Sequence, residues 1–181
     1  IGFLWSRKEI LEKIPPFFGG GEMIQDVFEE KSTWAELPHK FEAGTPAIAE
    51  AIGLAAAINY INNIGLDRIS EYEKEITKYL FKKLKQIEDL EIIGPSPRID
   101  PNRAALATFY VKEIHSNDIA EILDSKGICI RSGHHCCQPL HRHIGINSTA
   151  RVSMNFTTTK EDINTFIEKL KETISFLKLN S

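Results

Sequence analysis

From residue 66 onward the apolar residues change period repeatedly along the chain, and this switching restricts the fold more than any other feature. Ile69, Tyr72, Ile76, Leu80, Leu84 and Ile87 lie three or four apart, the stripe of a helix over about 67–88 with Lys and Glu on its other faces. Leu90–Ile93 then reads as a short strand ended by Gly94-Pro95-Ser96-Pro97, and 104–111 as a buried strand rich in aromatic and β-branched residues. Ser116 or Asn117 is placed to cap a helix through Leu123 that stops at Gly127, followed by a short strand at 128–130. Ala150, Val152, Met154 and Phe156 alternate with Arg151, Ser153 and Asn155, the period of a half-buried strand. A last helix opens at Thr158 or Thr159 and carries Ile163, Phe166, Ile167, Leu170, Ile174 and Leu177 on one face. Helix-period segments alternating with strand-period ones build an α/β layer structure around one sheet.

The first 45 residues are different. An apolar start at Ile1–Trp5, a strand candidate, gives way to Pro15-Pro16 and Gly19-Gly20-Gly21, breakers that predict loops and hairpins. Thr45 and Pro46 fit the N-cap and first position of a helix that continues through Ile48, Ile52, Ala55 and Ala56 and stops near Gly65. The apolar stretch 47–66 is interrupted by Glu50, Asn59, Asn62 and Asn63, so it fails as a membrane span, and no basic segment precedes Ile1 as a signal peptide requires. A first residue that is Ile, inside an apolar run, leads us to expect a piece of a longer protein. The formal net charge of −3 supplies no pull toward nucleic acid or anionic membrane. Three cysteines cannot all pair within the chain, and a reducing compartment is expected.

Chemistry concentrates in Arg131-Ser132-Gly133-His134-His135-Cys136-Cys137-Gln138-Pro139-Leu140-His141-Arg142-His143. Four of the six His and two of the three Cys fall within ten residues there. Cysteines among cationic, polar and Gly/Pro residues point to an accessible loop, and a thiolate forms more readily beside Arg or protonated His. A polar surface loop with incidental cysteines fits the same composition. Zinc is a third reading, with six N/S donors available, but adjacent His-His and Cys-Cys pairs lack the spacing of a tetrahedral site. Cys129 sits in a strand pattern and reads as a small core residue.

This segment, with Ala150-Arg151 after it, resembles the catalytic loop of SufS-type (group II) cysteine desulfurases, which with selenocysteine lyases belong to the class V aminotransferases, enzymes of pyridoxal phosphate (PLP). Phe41-Glu42-Ala43-Gly44-Thr45-Pro46 and Gly19-Gly20-Gly21-Glu22-Met23-Ile24 match two further family segments in the family's order. The stretch between His135 and Pro139 is shorter than its counterpart in the NifS/IscS-type group. The resemblance implies a fold type I PLP transferase, α/β, of which this chain is the C-terminal part. Residues 1–61 would be the end of the large cofactor domain with the start of a bridging helix, and 62–181 the small α/β domain. The family's Schiff-base Lys, its ring-stacking His and the Asp at the pyridine nitrogen precede the matched region, and no Lys of this sequence is assigned that role.

By the same resemblance Cys136 is the nucleophile that takes sulfur from PLP-bound L-cysteine, leaving alanine and a Cys136 persulfide for Fe–S cluster assembly. Cys137 departs from the Ala common at that position and is read as a spectator. Arg151 resembles the Arg that grips the substrate carboxylate as a bidentate fork, Arg131 a second active-site Arg, and His134 and His135 candidates for orienting the loop or moving protons. Gly44 and Thr45 would bind the PLP phosphate of the partner subunit in a homodimer, and the residues around 19–33 would border that partner's site. A sulfur acceptor of the SufE or SufU type, no nucleic acid, no membrane, no metal, and a cytoplasmic or plastid-stroma location complete the expectation. Selenocysteine lyase and a stand-alone zinc or thiol-relay module are the alternatives.

Overall fold

The computed structural model describes residues 1–180, which divide into two compact units, one of residues 1–64 and one beginning at Gly65. The first unit holds helix α1 (Lys8–Lys13), the antiparallel hairpin of β1 (Ile24–Val27) and β2 (Ser32–Trp34), a 3₁₀ turn at His39–Phe41 and helix α2 (Ile48–Ile64). Ile1–Trp5 is irregular rather than a strand, because no neighbouring strand takes up its backbone groups. The α2 helix begins later than its sequence signals suggest. Its first bond runs from Ala51 N–H to Ala47 O, so Thr45 lies outside the cap. Gly44, at φ +81°, instead turns the chain and donates its N–H to Gly21 O at 2.9 Å.

Met23 is the one buried residue of this unit. The α2 helix is apolar around most of its circumference, yet Ile48, Ile52, Ile58 and Tyr60 are exposed. A helix of that composition is ordinarily covered on all sides.

The second unit has a complete core. Gly65, at φ +95°, precedes α3 (Leu66–Leu84), and the chain continues through β3 (Leu90–Ile93), β4 (Leu106–Val111), α4 (Ser116–Ser125), β5 (Arg131–Gly133), α5 (Gln138–Ile144), β6 (Thr149–Ser153) and α6 (Lys160–Leu179). The strands form one antiparallel sheet in the order β3-β4-β6-β5. Burial alternates strictly along β4: Ala107, Phe109 and Val111 are buried, and Leu106, Thr108 and Tyr110 only partly. The buried set packs with Ile76, Leu80 and Leu84 of α3, Ile119 and Leu123 of α4, and Ile163, Phe166, Ile167, Leu170 and Ile174 of α6. Helices α3, α4 and α6 therefore cover one face of the sheet, and His141 of the short α5 packs against Thr149 on the other.

Local chemistry sets the element ends. Thr159 and Asp162 form a reciprocal capping box at the start of α6, and the Thr159 hydrogen bonds hold the Asp162 carboxyl below its ordinary pKa. The α4 cap is His115, whose Nδ1 accepts from Asn117 N–H, one residue earlier than expected. The strand foreseen at 128–130 lies instead at Arg131–Gly133, because the β6 register pairs Arg131 with Arg151 and leaves 128–130 as the approach from α4. Strand β6 stops at Ser153, short of the alternating pattern's end, and α3 ends at Leu84 before a turn that tucks Ile87 into the core.

Phe109 is fully buried and its ring centroid lies 6.4 Å from that of Phe166. Phe109→Ala should cost about 3–5 kcal/mol of unfolding free energy in urea titrations. A loss below about 1 kcal/mol would show that the β4–α6 contact is not the centre of this core.

Candidate active site

The site is built on the sheet face opposite α3, α4 and α6. Phe109 of β4 stands opposite Ala150 of β6, both fully buried, so the alternate residues of β6, Thr149 and Arg151, project to the other face. Arg151 is directly opposite Thr108 on one side and Arg131 on the other. Like charges in facing positions repel. Arg151 Nε is also buried without a hydrogen-bond partner. Two guanidinium groups so placed favour an anion between or beside them.

Immediately after β5 the backbone enters a turn that few sequences tolerate. Gly133 has φ +105°, and His135 and Cys136 follow at +52° and +60°, the left-handed region where a Cβ costs roughly 1–2 kcal/mol per residue. The turn is closed by Cys137 N–H donating to His134 O at 2.8 Å. It leaves the Cys136 thiol exposed, with Arg131 Nη2 3.4 Å from Sγ. Arg131, His134, His135, Cys136, Gln138 and Arg142 border an open cleft of about 530 Å³. The thiol is thus accessible to a small substrate from solvent, with a fixed cation beside it.

His135 lies deeper. Both its ring nitrogens are buried without hydrogen-bond partners. Burial lowers its pKa below the ordinary 6.5, and the positive charges of Arg151 and Arg131, and then His141, push the same way, with only the Thr149 backbone opposing. A neutral imidazole can accept a proton and return it at neutral pH, and in this structure no hydrogen bond joins the His135 ring to the Cys136 thiol.

One residue outside the expected set proves central. His141 is 4% exposed; its Nδ1 stands 3.0 Å from Cys137 O and its Nε2 3.0 Å from Thr149 Oγ1. Its ring meets those of His134 and His135 at centroid distances of 5.5 and 6.0 Å. It belongs to α5, a helix hidden from sequence reading by its Gln-Pro start and its density of His and Arg. In the sequence it stood out only as one more possible zinc ligand. Both ring nitrogens are engaged in hydrogen bonds, and among the described residues no cluster of three or more His, Cys, Asp or Glu is arranged to hold a metal ion.

Cys129 corrects the sequence reading. It is exposed rather than buried, 3.4 Å from the Asp124 carboxylate, whose hydrogen bond and charge raise the thiol pKa. Ile128 and Ile130 pack against the core from outside the sheet, and Cys129 between them is left exposed. Cys137 is a free exposed thiol as well, at the N-cap of α5. Arg131, His134, His135 and Cys136 line one cleft of the second unit, Arg151 adjoins it through its pairing with Arg131 and its charge near His135, and Gly44 and Thr45 belong to the first unit. Among the described residues no helix is long and apolar enough to cross a membrane.

An exposed thiol pinned in a strained turn beside a guanidinium is suited to nucleophilic sulfur chemistry, and the fold carrying it is that of the fold type I PLP enzymes. A cysteine desulfurase from Thermococcus onnurineus superposes with a TM-score of 0.85 at 38% identity, over 94% of this chain and 42% of that one. The Escherichia coli cysteine desulfurase CsdA gives 0.83 at 26% identity, over 95% and 42%. The chain belongs to the aminotransferase class-V family, whose model matches residues 1–166, and that family is PLP-dependent. A Synechocystis protein named "Probable cysteine desulfurase" is 54% identical over 97% of this chain, and one of the same name from Staphylococcus epidermidis 47% identical over the same share. The chain spans about 42% of the length of these curated relatives.

The environment of His135 predicts its titration. A base whose folded pKa is depressed leaves stability unaffected above its unfolded value, about 6.5, and lowers it progressively as the pH falls from there toward the folded pKa. His135→Asn, a residue that accepts left-handed backbone, should therefore flatten the acid side of the stability curve in urea titrations at stepped pH. In NMR titrations the His135 ring should have its midpoint below 6.5, and Arg151→Ala should move that midpoint upward. A midpoint at or above 6.5 would contradict the buried, cation-flanked placement.

Proposed function

We propose that this chain supplies the C-terminal half of a PLP-dependent cysteine desulfurase of the SufS type. The enzyme converts L-cysteine to L-alanine and leaves a persulfide on Cys136 for Fe–S cluster assembly. The observation that carries the proposal is the exposed Cys136 thiol, 3.4 Å from Arg131 at the mouth of an open cleft. The relatives named cysteine desulfurase, aligned over nearly the whole chain, support it.

The residues divide the work by their chemistry. Arg151, partly buried and with an unused Nε, takes the substrate carboxylate and fixes its orientation, and the anion relieves the repulsion from Arg131 opposite. Cys136 Sγ attacks the substrate sulfur: an S–S bond forms while the C–S bond breaks, and the carbon fragment takes a proton and leaves as alanine. PLP, when bound, supplies the electron sink for that cleavage. To His135, which burial and the neighbouring cations keep neutral, we assign the thiol proton. Arg131 then stands beside the persulfide anion as its counter-charge.

The Gly44–Thr45 segment suits the cofactor phosphate. Gly44 at φ +81° has open space where a Cβ would lie, and the exposed Thr45 hydroxyl stands just ahead of the 17-residue α2. Hydroxyl and helix N–H groups together form an anion cradle. In the proposed homodimer this cradle serves the partner subunit's cofactor. The exposed apolar faces of α2 and the first residues fit a unit that is covered by the rest of a large cofactor domain. A SufE- or SufU-type acceptor would collect the persulfide sulfur, and the three exposed free thiols suit a reducing compartment such as the cytoplasm or plastid stroma.

The 181-residue chain by itself should release no alanine from cysteine, since the Schiff-base Lys is assigned to none of its residues. In the complete enzyme Cys136→Ala should abolish a persulfide adduct of about +32 Da in mass spectra after cysteine turnover, with PLP still bound. Cys137→Ala should retain most activity, and Cys129→Ala should shift stability by no more than about 0.5 kcal/mol. Arg151→Ala should raise KM for cysteine well above its effect on PLP loading. An adduct that survives Cys136→Ala assigns the nucleophile elsewhere, and stoichiometric zinc lost on both loop substitutions would favour a binding module. A higher kcat/KM for selenocysteine than for cysteine would make the enzyme a selenocysteine lyase.

A further inference from the structure

Two residues with side chains are held in the left-handed region at His135 and Cys136, and the thiol meets Arg131 only while that turn persists. Something must outweigh the strain. The turn's own closing bond, Cys137 N–H to His134 O, is short-range and lies in an exposed segment. Cys137 O, by contrast, faces a buried side chain. A carbonyl only accepts, so His141 Nδ1 must carry the proton, and in the neutral ring Nε2 then accepts from the Thr149 hydroxyl. Cys137 O also accepts the His141 backbone N–H at 3.3 Å.

Thr149 is 1% exposed and lies on β6, two residues before Arg151 and on the same sheet face. The path Cys137 O–His141–Thr149 therefore connects the residue after the thiol to the strand that carries Arg151. The bond to Thr149 is buried and the bond to Cys137 O partly so, and hydrogen bonds shielded from water hold geometry more firmly than exposed ones. The His134 ring lies edge-on to the His141 ring and the His135 ring is tilted against it.

We propose that His141 is a positioning residue for the Cys136 thiol: by anchoring Cys137 O to Thr149 it holds the strained turn that keeps the thiol beside Arg131. The inference rests on Cys136 as the nucleophile but concerns only how the thiol is held. It assigns His141 no contact with substrate or cofactor.

The test uses the complete PLP-loaded enzyme and reads Cys136 alkylation by iodoacetamide, mapped by mass spectrometry, alongside kcat and KM for cysteine. His141→Leu removes both hydrogen bonds and should slow alkylation and lower kcat by roughly tenfold, as small misplacements of a reacting group do. KM should stay within about twofold, because the backbone pairing that places Arg151 is untouched. His141→Asn keeps a donor near the Nδ1 position and Thr149→Val keeps the Cys137 bond, so each should lose only about threefold. The double variant His141→Leu/Thr149→Val should be no worse than His141→Leu alone, since both cut one path. Alkylation within twofold of the parent in His141→Leu, or losses that add in the double variant, would overturn the proposal. Should His141→Leu fail to unfold cooperatively, Thr149→Val decides, and an unchanged alkylation rate there overturns it equally. The outcomes stay separate from those of the desulfurase reading: a persulfide found on another thiol sinks that reading, whereas alkylation of Cys136 still reports the turn.

Discussion

The pairing of Phe109 with Ala150 across β4 and β6 is the constraint on which the rest of the second unit depends. Burial of Phe109 against α6 sets which face of β4 is inside, and the ladder passes that choice to β6. A slip of one residue would turn Arg151 into the core and Ala150 out of it, an exchange of an apolar contact for a buried unpaired charge. Arg151 is thereby committed to the face opposite that core, and its neighbour Arg131 follows through the β5–β6 register. The positions of the two cations are thus a by-product of hydrophobic packing on the opposite side of the sheet.

On that face the structure spends stability on geometry. Two left-handed residues, a pair of facing arginines and a buried imidazole with no hydrogen-bond partner are each unfavourable alone. They occur together around one thiol, which is where a fold is expected to carry strain that serves a reaction. The surrounding structure compensates with the complete core of α3, α4 and α6 and with the two hydrogen bonds of the buried His141. Burial keeps the His135 imidazole neutral, and the arginine charges suited to an anionic substrate push the same way.

The first unit shows the reverse relation. Its elements are regular enough, a hairpin and a 17-residue helix, but they bury little beyond Met23. An apolar helix with open faces acquires its stability from what covers it, so the unit reads as part of a larger packing arrangement. The Gly44–Thr45 segment is legible within it all the same, because a positive-φ glycine and an exposed hydroxyl before a helix are local features.

The sequence by itself determined the second unit's plan. The helix stripes of α3 and α6, the apolar, β-branched and aromatic content of β4 and the Arg-Ser-Gly-His-His-Cys segment are local patterns, set by periodicity and side-chain chemistry, and the structure shows them where they were read. Nearest-neighbour information carried them. What depended on distant residues was out of reach: β5 lies at Arg131–Gly133 because β6 pairs there, and Cys129 is exposed because the segment before it never joins the sheet. His141 could be seen as a histidine but not as a buried one. Its partners, Cys137 O and Thr149, are four residues back and eight ahead, and only the return of β6 beneath α5 brings them to one ring. Local chemistry could name the thiol and its cations, but only the long-range pairing of strands decided what holds them.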